Sequence, residues 1–196
     1  MIFIPVGLTV LRLLLGPLAI GLALTHQSHF FYGPVLLLGM LSDIFDGVLA
    51  RRFGVVRPWL RRFDSAADIV FYACIFVTTW LVAGDAIRKA IVPLSLLAAS
   101  ELACIVVSFI RFRSLASVHC YSAKFYGVVM FLTFFGVLAL NAGSWAFLIL
   151  AIVAVTANIE IILILLLSRT APVDVLSVFH VNRASPEAFL RPNESA

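Results

Sequence analysis

Long apolar stretches separated by short polar segments run along this chain of 196 residues. An α-helix needs about 18–25 apolar residues to cross the hydrocarbon core of a bilayer, and the stretches have that length. The six predicted spans are residues 3–25, 30–50, 65–83, 90–110, 125–141 and 145–167. The pattern therefore predicts an all-α polytopic membrane protein with six transmembrane helices.

Composition supports this interpretation, because 63% of the residues are hydrophobic and only 12% are charged. Such a composition excludes an ordinary soluble domain. The six stretches and the short segments between them make up residues 1–168, which we interpret as one transmembrane domain. Residues 169–196 contain Pro172, Pro186 and Pro192 and are predicted to form a cytoplasmic C-terminal tail.

Basic residues are distributed unevenly between the two ends of the predicted spans. Of the 14 Lys and Arg residues, twelve lie on one side of the predicted membrane, and only Arg88 and Lys89 lie on the opposite side. Because cytoplasmic loops are enriched in Lys and Arg, both termini are predicted to be cytoplasmic. The net charge of +4 indicates attraction to anionic membrane lipids. The sequence shows no pattern of basic and aromatic residues typical of nucleic-acid binding, and its compact size favours a bacterial inner membrane.

Four aspartates interrupt the apolar pattern at the facing ends of the second and third spans. Asp43 and Asp46 are three residues apart, and Asp64 and Asp68 are four apart, so each pair shares a helix face. Antiparallel packing of the two spans would bring the four carboxylates together. Carboxylate oxygens are the ligands that Mg²⁺ and Mn²⁺ prefer. Four carboxylates exceed what one Mg²⁺ usually takes from protein, so two metal ions per site are predicted.

Small and basic residues beside Asp46 indicate a ligand that carries phosphate. Gly47 and Ala50 leave room for a ligand close to the backbone, and Arg51 can bind phosphate oxygens through two hydrogen bonds. A structural alternative is that Asp64 caps the third helix and Asp43 pairs with an arginine of the following basic loop. That alternative explains these residues one by one but not the whole set.

The spacing of these residues resembles the signature of the CDP-alcohol phosphatidyltransferase family, D-x2-D-G-x2-A-R-x8-G-x3-D-x3-D. The matching residues are Asp43, Asp46, Gly47, Ala50, Arg51, Asp64 and Asp68. Leu60 departs from the signature, since the family has a glycine there. Thr9 and Arg12 match part of a second family pattern, N-x2-T-x2-R, in which Val6 replaces the asparagine.

The resemblance implies a homodimeric enzyme of phospholipid biosynthesis. Such an enzyme transfers a substituted phosphate from a CDP-linked donor, commonly CDP-diacylglycerol, to a small alcohol and releases CMP. The implied metal ligands are Asp43, Asp46, Asp64 and Asp68. Asp68 would also be the general base that takes the proton of the acceptor hydroxyl. The predicted topology places this active site at the cytoplasmic face.

The same resemblance implies binding roles for five further residues. Gly47 and Ala50 would line the cytidine pocket, and Arg51 would hold phosphate. Thr9 and Arg12 would lie near the pyrophosphate or the metal site.

A second basic group surrounds the connection between the fourth and fifth spans. Arg111, Arg113 and Lys124 are candidates for binding an anionic acceptor or a lipid phosphate. The usual enrichment of cations at the cytoplasmic face explains the same residues equally well.

Leu60 favours an alternative function, because a leucine at the glycine position narrows the implied donor pocket. The alternative is a catalytically silent homologue that keeps the metal site and acts as a membrane scaffold or lipid-binding subunit. A small transporter is a second alternative. The aspartates argue against it, since transport sites usually lie at the membrane midplane and these residues cluster at one face.

Overall fold

The computed structural model describes residues 3–52, 58–113 and 120–168. These residues form six α-helices and one short 3₁₀-helix, and they contain no strand. The α-helices are α1 Phe3–Leu24, α2 Tyr32–Arg52, α3 Pro58–Lys89, α4 Ile91–Phe112, α5 Tyr121–Ala139 and α6 Trp145–Leu167. The 3₁₀-helix His29–Phe31 directly precedes α2. The predicted C-terminal tail lies outside the described residues.

Within the described residues, five of the helices are long and apolar enough to cross a membrane. Their spans are Val6–Leu24, Ala66–Lys89, Ile91–Phe112, Tyr121–Ala139 and Trp145–Leu167. Many large apolar side chains, such as Leu14, Ile69 and Ile110, are exposed, which suits a surface that faces lipid. The all-α prediction is confirmed for the described residues, and the five apolar helices support an integral membrane protein. α2 is not among the five helices, so the sixth span and the cytoplasmic termini stay predictions.

α3 is longer than the third predicted span, residues 65–83. It begins at Pro58, and proline is favoured in the first turn because its missing N–H would have no helical partner there. The helix is interrupted at Ala83, whose φ of −128° and ψ of 39° are not helical, and it ends at Lys89. Asp64 therefore lies inside α3, and the structural alternative in which Asp64 caps this helix is wrong.

The chain divides into two compact units. The first comprises Met1–Ala90 and Phe131–Ala146. In it α1 packs against both α2 and α3, and buried apolar side chains such as Leu36, Ile75 and Val137 form the core. This unit contains all four aspartates of the predicted site.

The second unit comprises Ile91–Met130 and Phe147–Ala196. Cys120, Ile164 and Leu165 form a buried cluster there. The amide of Asn158 on α6 donates a hydrogen bond of 2.9 Å to the hydroxyl of Ser100 on α4. The prediction of a single transmembrane domain over residues 1–168 stays a prediction.

Candidate metal centre

A side-chain contact between α2 and α3 lies beside the two pairs of aspartates. Gly39 of α2 faces Phe71 of α3, and a Cβ atom at residue 39 would overlap the Phe71 ring, with Cε2 at 3.0 Å. Gly39 lies one turn before Asp43, and Phe71 lies about one turn after Asp68. This contact between the two helices is therefore next to the carboxylates of both.

A second close contact brings α1 against the same region of α3. A Cβ atom at Gly16 would lie 3.0 Å from the Cβ atom of Cys74 and 3.5 Å from the Cα atom of Phe71. Small residues allow helix backbones to approach in membranes. Gly16 lies one turn after Arg12, so this contact places Arg12 beside α3.

The guanidinium of Arg12 lies at the centre of the four aspartates, and this side chain is only 1% exposed. Its Nη1 atom lies 2.9 Å from Asp43 Oδ1 and also contacts Asp68 Oδ1. Its Nη2 atom lies 3.0 Å from Asp64 Oδ1 and also contacts Asp46 Oδ2. One residue of α1 thus joins carboxylates from α2 and α3.

Three of the four carboxylates are close enough to share a metal ion. Asp43, Asp64 and Asp68 each offer one oxygen, and these oxygens lie within 4.8 Å of one another. The side chain of Asp46 is 6% exposed, whereas those of the other three are 34–52% exposed. The accessible carboxylates therefore lie at the mouth of the cluster, and Asp46 is buried.

The chemistry of this cluster fits a divalent cation. All of its donor atoms are carboxylate oxygens, which suit hard ions such as Mg²⁺ and Mn²⁺. Among the described residues Arg12 is the one cation that contacts the four carboxylates, so the cluster can accept further positive charge. Asp43, Asp46, Asp64 and Asp68 are thus brought together as predicted.

The sequence does not predict the central position of Arg12 among the aspartates. Arg12 was expected near the pyrophosphate or the metal, but not as an ion-pair partner of every signature aspartate. The structural alternative paired Asp43 with an arginine of the basic loop, whereas the described ion pair joins Asp43 to Arg12. A signal was present, because Arg12 is the only charged residue in the first apolar stretch. Thr9, one turn earlier on α1, is also buried.

The remaining signature residues lie in helices whose side chains are only partly described. Gly47, Ala50 and Arg51 belong to α2, and Leu60 belongs to α3. Their side-chain surroundings lie outside the part of the chain that the structure describes. Their predicted contacts with the nucleotide and phosphate therefore stay predictions.

The three basic residues of the second predicted group lie in the second unit and have different surroundings. Arg111 donates hydrogen bonds of 3.1 Å and 3.4 Å to the carbonyl of Ser168, directly after α6. This contact stabilises the end of α6. Arg113 is exposed after α4, and Lys124 is exposed with its ammonium 5.7 Å from the centre of the Tyr121 ring.

A cavity of about 560 Å³ lies at the opposite end of α3 from the aspartates. It is lined by the last turns of α3, including the non-helical Ala83, and by the connection 141–144. Arg88, which lines it, follows Asp68 by 20 residues, or about 30 Å along a helix. None of the predicted site residues whose side chains the structure describes lines this cavity.

Comparison with known proteins agrees with the resemblance found in the sequence. The model of the CDP-alcohol phosphatidyltransferase family matches residues 2–179, which include all six α-helices and the four aspartates. No curated protein and no solved structure matches the chain. Since the family match extends over most of the sequence and the signature carboxylates converge in space, the chain belongs to the CDP-alcohol phosphatidyltransferase family.

Proposed function

We propose that this protein transfers a phosphatidyl group from CDP-diacylglycerol to a small alcohol and releases CMP, in phospholipid biosynthesis. The family implies the coarser statement, the transfer of a phosphatidyl group from a CDP-alcohol donor. The observation that carries the proposal is the convergence of oxygens from Asp43, Asp64 and Asp68 within 4.8 Å of one another. Phosphoryl transfer depends on positioning and on positive charge that stabilises the transferred group, and converging carboxylates can supply that charge by holding metal ions.

The proposed metal ligands are the four signature carboxylates, with Mg²⁺ or Mn²⁺ as the ion and two ions per site. Asp43, Asp64 and Asp68 supply the accessible oxygens, and Asp46 supplies the buried one. When bound, the metal would polarise the transferred phosphoryl group and stabilise negative charge on the departing CMP.

Asp68 is the proposed general base. Its side chain is partly exposed, so an acceptor can reach it, and it lies one turn beyond Asp64 on the same face of α3. The acceptor oxygen forms a bond to the phosphorus of the phosphatidyl group, and the bond from that phosphorus to the oxygen of CMP breaks. The carboxylate of Asp68 takes the proton that the acceptor hydroxyl loses.

Binding of the donor is assigned to the helices that carry the aspartates. Gly47 and Ala50 follow Asp46 on α2 and are proposed to admit the cytidine. Arg51 is proposed to hold a phosphate group through paired hydrogen bonds. Thr9 is proposed to support the same region from α1, where it is buried one turn from the ion-paired Arg12.

The acceptor or a lipid phosphate is proposed to bind the basic residues of the second unit. Arg113 and Lys124 are exposed and therefore accessible to an anion. Arg111 already donates to the Ser168 carbonyl, so its contribution would come through its remaining N–H groups and its charge.

The proposed arrangement in the membrane has six spans, with both termini and the active site on the cytoplasmic side. α2 is proposed to supply the sixth span, with Asp43 and the residues after it towards the cytoplasmic face. Asp64 precedes the span Ala66–Lys89 and Asp68 lies in its first turn, so the carboxylates are near one membrane face. That position favours a transferase over a transporter. The enzyme is proposed to be a homodimer of a bacterial inner membrane.

The proposal is tested by measuring CMP release from purified protein in lipid nanodiscs. CDP-diacylglycerol is supplied with Mg²⁺ or Mn²⁺ and with glycerol 3-phosphate, serine, inositol, inositol phosphate or choline in turn. Acceptor-dependent CMP that disappears in Asp68→Asn would support the transferase and identify its acceptor class. CMP release that persists in Asp68→Asn would contradict the assigned base.

One observation favours a second candidate, a catalytically silent scaffold or lipid-binding subunit. Leu60 stands where the family signature has a glycine. Under this alternative the wild-type protein binds Mn²⁺ but releases no CMP with any acceptor, and Leu60→Gly restores nucleotide binding. CMP release by the wild-type protein would exclude the silent candidate.

A further inference from the structure

We propose that Arg12 is an internal counter-ion of the aspartate cluster and that a divalent metal ion replaces it there. In this exchange the metal takes the carboxylates, and the guanidinium leaves its central position among them. The inference rests on the metal dependence in the proposed function. It goes further by assigning to α1 a role in how the site is loaded.

The geometry makes Arg12 and a metal ion competitors. The guanidinium contacts each of the three residues whose oxygens could share a metal ion, and the measured distances to Asp43 and Asp64 are 2.9 Å and 3.0 Å. A metal ion lies about 2.1 Å from its oxygen ligands. A cation held by these carboxylates would therefore lie very close to the nitrogens of Arg12. Two positive charges at such a distance, with little water between them, repel each other strongly.

The cluster has no second cation to balance its carboxylates within the described residues that contact it. Each aspartate of the cluster has one described ion pair, and in all four cases the partner is Arg12. Buried Asp46 depends on that partner most, because water reaches it least. A positive charge is thus needed at this position, and either Arg12 or a metal ion can provide it.

The contacts of Arg12 are spread over four carboxylates and do not form a paired contact with any one of them, which favours exchange. Its buried Nη1 atom forms ion pairs with Asp43 and Asp68, and its buried Nε atom makes no hydrogen bond to the described residues. The two described hydrogen bonds both come from Nη2, to Asp46 and Asp64. A guanidinium that pairs with a single carboxylate through two parallel hydrogen bonds would be held in a more specific geometry. Arg12 therefore serves as a replaceable partner.

The first test uses wild-type protein in nanodiscs and an arginine reagent, phenylglyoxal, with modification located by mass spectrometry. Arg12 is buried, whereas Arg88 is exposed and serves as an internal reference. We expect saturating Mn²⁺ to increase modification of Arg12 relative to Arg88. Unchanged or reduced modification of Arg12 would show that the guanidinium stays in place, which would overturn the exchange.

The second test measures Mn²⁺ affinity by the electron paramagnetic resonance signal of free Mn²⁺. In Arg12→Gln the competitor is absent, so we expect the dissociation constant for Mn²⁺ to fall about tenfold, equivalent to about 1.4 kcal/mol. Arg88→Gln, the matched loss of an arginine at the other end of α3, should leave it unchanged. Equal or weaker Mn²⁺ binding in Arg12→Gln would contradict the proposal. If that variant does not fold, the labelling of wild-type protein still decides.

Failure of the exchange can be separated from failure of the proposed reaction. Both tests report metal binding and the position of Arg12 without any turnover. Normal exchange without CMP release would overturn the reaction and leave the exchange standing. Wild-type protein that binds no Mn²⁺ would overturn the exchange. If such protein still releases CMP, the proposed transfer reaction would be supported without the exchange.

Discussion

The two ends of α3 carry similar charged residues in opposite surroundings. Near its beginning, Asp64 and Asp68 contact Arg12, whose side chain is 1% exposed. Near its end, Asp85 pairs with Arg88 at 3.1 Å, and these side chains are 86% and 71% exposed. The first arrangement joins three helices, whereas the second joins residues three apart on one helix.

The difference shows that burial, and not residue type, decides how much an ion pair contributes to stability. Water solvates Asp85 and Arg88 whether or not they touch, so their pairing contributes little to stability. The charges around Arg12 are partly withdrawn from water and require one another or a metal ion. A function in metal binding is therefore expected only at the beginning of α3.

The largest expected difference between the two ends is in catalysis. Asp68→Asn should lower acceptor-dependent CMP release at least about 100-fold, because the general base is lost. Asp85→Asn removes a carboxylate from the other end of the same helix and should leave the rate unchanged. Both rates are measured in nanodiscs with CDP-diacylglycerol. Equal losses in the two variants would remove the distinction between the ends.

The next effect is on stability in the presence of a chelator. Arg12→Gln should lower the free energy of unfolding by about 3 kcal/mol, since it leaves partly buried carboxylates without their counter-ion. The measurement is denaturant unfolding in mixed micelles. A loss below 1 kcal/mol, of the size expected for surface pairs, would mean that water already solvates the aspartates.

Packing beside the aspartates can be tested with alanine in place of glycine. Gly39→Ala should destabilise the protein by about 1–2 kcal/mol, because the added Cβ would overlap the Phe71 ring. Gly84→Ala, at the far end of α3, adds its methyl group to open space. Thermal midpoints of the two variants provide the comparison. Equal midpoints would show that the Phe71 ring does not pack tightly against Gly39.

The smallest expected effect is at the exposed pair. Arg88→Gln should change the free energy of unfolding by less than about 0.5 kcal/mol, since exposed pairs contribute little. The same unfolding assay applies. A loss comparable to that of Arg12→Gln would indicate that Arg88 has a partner beyond Asp85 and would undo the contrast between the two ends.

Local spacing along the chain determined most of what was predicted correctly. Five helices with membrane-spanning length and composition agree with the apolar stretches, because such stretches depend only on neighbouring residues. The aspartate signature likewise identified the family, since its members lie within residues 43–68. The beginning of α3 at Pro58 was missed, because residues 58–64 are not part of an apolar span.

Only the tertiary structure decided how distant residues are combined. Arg12 is 31 residues or more from each of the four aspartates, and its central position requires α1 to pack against both α2 and α3. Arg111 bonds to a carbonyl 57 residues away in sequence, which no local pattern indicates. The sequence by itself determined which chemical groups are available and on which helix face they lie. The packing of the helices decided which of these groups share a buried site, because burial and proximity arise only when separate segments meet.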